Sequence, residues 1–196
     1  PPRIAPHQAV IIPINPKNEE KEKFDNFVDT IYKKLKNDSI RCSIDNSNNS
    51  PGFKFNNWEL KGAPLRIDIG LKEFQNNKVT VCRRDTGEKE EISPDQLSQL
   101  SSILEDIQKD MYNSASTFLE ENTFELNDYS EFKKLLSKEN CFIKTYWDGS
   151  DVSELKIKQE TKATIRCILE DVNDSNLKCI FSGEPAKHLV VFAKAY

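Results

Sequence analysis

Six residues near the start, Ala9-Val10-Ile11-Ile12-Pro13-Ile14, form an uninterrupted apolar run. A strand with one wet face alternates polar and apolar side chains. An unbroken run suits a strand covered on both faces. Packed layers are therefore needed on either side of it, and the following segments supply them. Asn15-Pro16 suits a helix cap and first helical position. Phe24, Phe27, Val28, Ile31, Tyr32 and Leu35 recur at helical spacing, so an amphipathic helix is predicted over roughly residues 17–36. IRCSI at 40–44 alternates as a strand, and Ser50-Pro51 opens a second helix that stops near Gly62. LRIDIG at 65–70 places Leu65, Ile67 and Ile69 inward and Arg66 and Asp68 outward.

KVTVCRR at 78–84 reads as another strand, and DTGE at 85–88 as a hairpin turn. Ser93-Pro94-Asp95-Gln96 is a capping box that opens a long helix. Leu97, Leu100, Leu104, Ile107, Met111, Phe118 and Leu119 are expected on its buried face. Strands and helices thus alternate to about residue 122, which predicts an α/β domain with a mixed sheet. Residues 123–196 read as a smaller α+β unit, packed on the first through the long helix. Helices are expected near 129–136 and 151–160, strands at 141–147, 163–169 and 188–196, and a turn at 173–178.

Hydrophobic residues make up 37% of the 196 and charged residues 31%, within the globular range. No segment is long and apolar enough to cross a membrane. The start lacks the basic and apolar regions of a secretory signal, and the single Met is Met111, so a fragment or processed piece is expected. The net charge of −4 conceals a division. Residues 1–90 carry 16 Lys and Arg against 13 Asp and Glu; residues 91–196 carry 12 against 19. A nucleic-acid footprint would therefore belong in the first half. The five cysteines are unpaired in pattern and suit buried, reduced thiols rather than a disulfide framework.

Several chemistries lack support. The six glycines are scattered, so no phosphate-cradling loop is present. His7 and His188 lie in unrelated contexts, and nothing supports a nucleophile–base pair. Cys179-Ile-Phe-Ser182 offers one thiolate without a nearby His, short of a tetrahedral metal site.

FKFNNWELKGAPLRIDIG at 53–70 is chemically richer. Glu59 could accept from the Watson–Crick edge of an unpaired guanine, and Arg66 or Lys89 could donate to its O6 and N7. Phe55 could stack on a base. The same pattern also suits Phe53, Phe55 and Trp58 as core anchors beneath a solvated charged face. Spacing alone leaves both readings open and makes the second the simpler one.

PPRIAPHQAVIIPI, PGFKFNNWELKGAPLRIDIG, RRDTGEKEEI, ETKATIRC and the terminal VVFAKAY together resemble the C-terminal part of the prolyl-tRNA synthetase family. The likeness is to the type of archaea, eukaryotes and some bacteria. It implies a class IIa anticodon-binding domain over 1–122, with a mixed five-stranded sheet flanked by helices. A C-terminal domain that often carries zinc would fill 123–196. The catalytic domain, which joins proline to tRNA with ATP and Mg, would precede Pro1. This chain alone would be inactive, and it would bind the anticodon loop of proline tRNA rather than DNA or a membrane. The parent protein would be cytoplasmic and dimeric through the catalytic domain. The alternative from another class is a protein-interaction module that reuses the anticodon-binding fold.

By the same resemblance, Phe55 falls at a base-stacking position. Glu59, Arg66, Lys72 and Lys89 fall at positions that contact the second and third anticodon bases, both guanine. Leu71-Lys72-Glu73 stands where the family has Pro-Arg/Lys-Asp. Arg83 and Arg84 are expected as phosphate contacts only. The family's zinc-binding cysteines fall on Asp148, Ser153, Cys179 and Ser182, so no zinc is expected. Packing of Tyr146, Trp147, Phe181 and Phe192 would then hold that domain. Tyr196 resembles a family terminus whose carboxylate approaches the catalytic domain.

Overall fold

The computed structural model describes residues 1–14 and 20–194. The expected cap at Asn15-Pro16 and the terminal Tyr196 lie outside the described residues. The chain divides into two compact units, Pro1–Ser114 and Ala115–Tyr196, with the division falling inside the long helix. The sequence reading places the change at the end of that helix.

In the first unit, the apolar run becomes β1 (Ala9–Pro13), buried along its whole length. It lies inside a five-stranded sheet between β2 (Cys42–Ile44) and β3 (Leu65–Ile69), parallel to both. β4 (Val79–Arg83) and β5 (Lys89–Ile92) extend the sheet beyond β3 as antiparallel neighbours. The mixed sheet follows from the connections. Helices carry the chain between parallel strands, while Asp85–Glu88 turns it straight back.

One sheet face holds the main core. Phe24, Val28, Ile31 and Leu35 of α1 (Lys21–Asn37) pack on Ile11, Ile67, Ile69 and Val81. A 3₁₀ turn at Pro94–Gln99 then leads into α4 (Leu100–Glu121), and Leu97, Leu100, Leu104 and Ile107 close that layer. Each of these side chains is worth roughly 1.5–3 kcal/mol of burial. The buried stripe stops there: Phe118 and Leu119, expected in it, are 65% and 54% exposed.

The opposite face is covered differently. α2 (Pro51–Leu60) begins where the Ser50 hydroxyl accepts the Phe53 N–H, and it ends ahead of Gly62, whose φ of +78° favours glycine. Its Trp58, with Ala63, buries Val10 and Ile12 of β1. Lys54, on the same helix, is 5% exposed and donates to the Asp45 carbonyl. Asp45 also accepts the Trp58 indole N–H at 2.7 Å. These bonds fasten α2 to the loop after β2. Beyond β3 comes a helix the sequence reading lacks, α3 (Leu71–Gln75), capped by a bond from the Gly70 N–H to Glu73 Oε2 at 3.0 Å.

In the second unit, four strands run in the order β6-β7-β9-β8. They are β6 (Thr123–Glu125), β7 (Phe142–Trp147), β8 (Ala163–Asp171) and β9 (His188–Lys194), with β6 parallel to β7 and the rest antiparallel. β8 forms one edge, and its register against β9 slips twice, between Ile165 and Cys167 and between Ile168 and Glu170. α5 (Tyr129–Lys138) and α6 (Asp151–Thr161) pack Phe132, Leu136 and Ile157 against Ile143, Trp147 and Phe192. Phe181 packs against this core, but Tyr146 lies on the alternate face of β7. Cys167 is exposed, contrary to expectation, whereas Cys42, Cys82, Cys141 and Cys179 are buried. Among the described residues no helix is long and apolar enough to cross a membrane.

Candidate nucleic-acid interface

Strand register lines up two polar rows on the sheet face away from the main core. Val10 pairs with Arg66, Arg66 with Cys82, and Cys82 with Lys89. One step along, Ile12 pairs with Asp68, Asp68 with Thr80, and Thr80 with Glu91. The apolar β1 end of both rows lies under α2. The β3–β5 end carries the charges, with Glu59 of α2 on one flank and Lys72 of α3 on another. Arg66, Glu59, Lys72 and Lys89, scattered in sequence, thus border one surface.

Arg66 is the centre of this arrangement. Its Nε donates to Asp68 Oδ1 and Oδ2 at 3.0 and 3.2 Å. Its Nη1 donates to Glu59 Oε1 at 3.2 Å. The guanidinium carbon lies over the Phe55 ring, 3.9 Å from its centre, in a cation–π contact. Among the described residues Nη2 has no protein acceptor, leaving a donor edge for a ligand. The sequence reading placed Arg66 and Asp68 outward. They do point away from the main core, but this face is largely covered: their side chains are only 11% and 12% exposed.

Phe55 is half-buried against the α2 cluster, and one ring face is occupied by Arg66. A base stacking on Phe55 must use its remaining surface or share it with Arg66. Phe53, which pattern alone placed in the core, is 57% exposed. Glu59 keeps more than half of its side chain in water, as a base acceptor must. Lys72 is exposed and paired with Glu91 Oε1 at 3.0 Å; that hydrogen bond and charge raise the lysine pKa and lower that of Glu91. Lys78 shares the same carboxylate. Lys89 is exposed at the start of β5, and no acidic side chain among the described residues pairs with it.

The two arginines of the hairpin diverge. Arg84 donates from Nε to the Glu59 carbonyl at 3.1 Å, which places it beside the interface and ties the hairpin to the end of α2. Arg83 lies on the core side of the sheet, where it pairs with Leu65. Its guanidinium bonds Asp85 at 2.7 Å and Asp110 of α4 at 2.8 Å. Those carboxylates drive its pKa upward, and Asp85 is held below the usual carboxylate range by the Arg83 hydrogen bond against a smaller cost of burial. Arg83 therefore acts as a strut within the unit, on the face away from Arg66.

Sequence reasoning missed Asp68 as part of the site. Burial pushes its carboxyl above the usual range and Glu73 adds to this, while Arg66 and Lys89 oppose the rise without cancelling it. The signal was present in the spacing, since Arg66 and Asp68 stand two residues apart on one strand. That spacing gave no hint that the pair would be covered.

Two family models match the chain: an anticodon binding domain over residues 8–102, and the C-terminal domain of prolyl-tRNA synthetase over residues 129–196. The chain carries the anticodon-binding and C-terminal domains of prolyl-tRNA synthetase. It is 42% identical over 198 residues to a proline–tRNA ligase of Amoebophilus asiaticus. It is 40% identical to the enzymes of that name from Flavobacterium johnsoniae, over 198 residues, and Natranaerobius thermophilus, over 200. All of this chain is covered in each comparison, but it spans only 40 to 41% of the relatives' length.

The zinc implied by resemblance to prolyl-tRNA synthetases can be tested against the residues present. Asp148, Ser153, Cys179 and Ser182 do meet in space. Asp148 Oδ1 accepts from Ser153 Oγ at 2.6 Å and the Ser150 N–H at 3.0 Å, and Oδ2 accepts from Ser182 Oγ at 2.6 Å. Trp147 Nε1 donates to Ser153 Oγ at 2.9 Å. Burial raises the Asp148 pKa, but the bonds from Ser153, Ser182 and Ser150 outweigh it and the net shift is downward. One thiol and one carboxylate already occupied by hydroxyls do not fit a tetrahedral zinc. Among the described residues no three His, Cys, Asp or Glu side chains converge as ligands.

Proposed function

We propose that this chain reads the anticodon loop of proline tRNA across the β3–β5 half of the first sheet. The observation that carries this reading is the Arg66–Glu59–Phe55 cluster, which brings a donor fork, an acceptor and an aromatic ring together, with Glu59 exposed at its edge. Arg66 donates to guanine O6 and N7, Glu59 accepts from its Watson–Crick edge, and Phe55 supplies a stacking surface. Lys72 and Lys89 contact the same bases from the ends of α3 and β5, and Arg84 contacts phosphate. The boundaries 1–122 and 123–196 are proposed for the two domains.

In the full-length protein these units accompany a domain that joins proline to tRNA using ATP and Mg. That protein acts as a cytoplasmic homodimer of the type found in archaea, eukaryotes and some bacteria. The FAKAY ending and the pairing of both domains support this type. The C-terminal unit holds its fold without zinc, and the donor set around Asp148 supports that. Metal analysis of the purified chain should find zinc far below one equivalent; stoichiometric zinc would overturn it.

Titration with an anticodon stem-loop tests the central reading. Arg66→Ala should weaken binding by roughly 1–3 kcal/mol and relax the preference for guanine. Equal affinity of the unaltered chain for a stem-loop lacking both guanines would refute base reading. Binding to a protein partner that does not weaken with salt would favour an interaction module instead.

A further inference from the structure

We infer that Asp68 is a positioning residue for guanine recognition: its buried carboxylate holds the Arg66 guanidinium in the orientation in which its free edge meets the base. The inference rests on the base-reading role of Arg66 proposed above.

An arginine on a sheet surface has many rotamers, and recognition by a planar fork requires one of them. Three restraints fix Arg66: the Phe55 ring at 3.9 Å, Glu59 Oε1 at 3.2 Å and the Asp68 carboxylate at 3.0 Å. Two of these belong to residues that must also serve the ligand. When Glu59 accepts from a base, it shares or loses its bond to Arg66. When Phe55 stacks on a base, its contact with Arg66 changes too. Asp68 has no such competing duty. It is buried, stands two residues beyond Arg66 on the same face of the strand, and both oxygens accept from Nε. It is the restraint that persists while the base is bound. A carboxylate here is also costly, since its row neighbour is Ile12 and burial opposes its charge. A site needing only packing would be better served by an apolar side chain.

The arrangement separates orientation from contact. Nε, the nitrogen nearest the backbone, is spent on Asp68, and Nη2 remains for the ligand. The ordering of a flexible side chain is completed on folding, so less freedom is lost on binding.

Base analogues isolate the contact. Replacing guanine by 7-deazaguanine removes the N7 acceptor assigned to Arg66 and leaves the Watson–Crick donors that Glu59 reads. Inosine removes the exocyclic amine, which Glu59 reads. With the full chain and an anticodon stem-loop, Asp68→Asn should lower the guanine to 7-deazaguanine affinity ratio about tenfold. The guanine to inosine ratio should stay near that of the unaltered chain. A residue that only supported the fold would weaken all three RNAs alike. Asp68→Glu, which keeps the charge, should restore part of the lost ratio, and it serves as the test if Asp68→Asn unfolds.

The N7-dependent ratio of the unaltered chain should also fall as acid protonates Asp68, and in Asp68→Asn it should be flat. The charged groups facing Asp68 are Arg66 on its own strand, Lys89 of β5 and Glu73 of α3, with Glu59 of α2 beyond Arg66. The inosine ratio monitors Glu59 in the same titration. If Asp68→Asn keeps the full ratio while Arg66→Ala loses it, the role given to Asp68 is wrong and base reading stands. If the unaltered chain shows no guanine preference, both fall.

Discussion

The two units each contain a polar cluster built around a carboxylate, and the clusters differ in whether they are finished. Around Asp148, hydroxyl and amide donors turn inward on one carboxylate, and the Trp147 indole closes the ring behind Ser153. Around Arg66, Asp68 and Glu59 take part of the guanidinium and leave the Nη2 edge unmet. Completeness makes the first a structural fastening. The second has the form of a binding site, because its remaining donors gain most when a partner arrives.

Removing the centre of the finished cluster should have the largest effect. Asp148→Ala leaves Ser153, Ser182 and the Ser150 N–H without their shared acceptor, and should cost about 3 kcal/mol of stability in urea unfolding. Affinity for an anticodon stem-loop at a temperature where the chain stays folded should not change. Taking away one donor is milder: Ser182→Ala should cost about 1.5 kcal/mol by the same measurement. If either variant is as stable as the parent, the fastening role of the cluster fails.

A subtler contrast lies in pH. The Asp148 pKa is lowered in the folded chain, so its contribution is present above the ordinary carboxylate value near about 3.9 and is lost as pH falls through the folded value. The Asp68 pKa is raised, so the sign reverses: its contribution is full below that same value and is lost as pH rises through the folded one. Asp148→Asn should therefore flatten the acid side of the stability profile. Asp68→Asn should remove a loss on the side nearer neutrality. Parallel profiles for the two variants would erase the distinction between the clusters.

The smallest effect on stability is expected at Lys72, which is exposed and paired only with exposed Glu91. Lys72→Gln should leave the unfolding midpoint where it is. Its mark should be on RNA binding, with the slope of log affinity against log salt reduced by about 1. An unchanged slope would remove Lys72 from the interface.

The sequence disclosed the frame of the first unit more fully than its site. The unbroken run at β1 announced cover on both faces, and the spacing of Phe24, Val28, Ile31 and Leu35 announced one of the covering helices. Alternation at Leu65–Ile69 assigned each side chain to a face, but it carries no information about what lies on that face. Alternation therefore places Asp68 outward without disclosing that it is buried there. α3 is five residues long and β6 three, too short for either period to register. Phe118 and Leu119 erred in the other direction: helical spacing continued past the point where the core ended. The residues bordering the interface came from family resemblance, while their meeting on one surface came from strand register.

The two slips in the register of β8 bear on how the chain behaves among copies of itself. β8 is an edge strand with Ile168 and Leu169 about half exposed, the kind of surface on which a second strand could add. A strand laid against it needs a regular row of partners, and each slip breaks the rhythm of N–H and C=O groups. Arg166, Glu170 and Asp171 add charge along the same stretch. Concentrated solutions of the chain gain protection from edge-to-edge growth by an irregularity that a straighter, better-paired strand would lack.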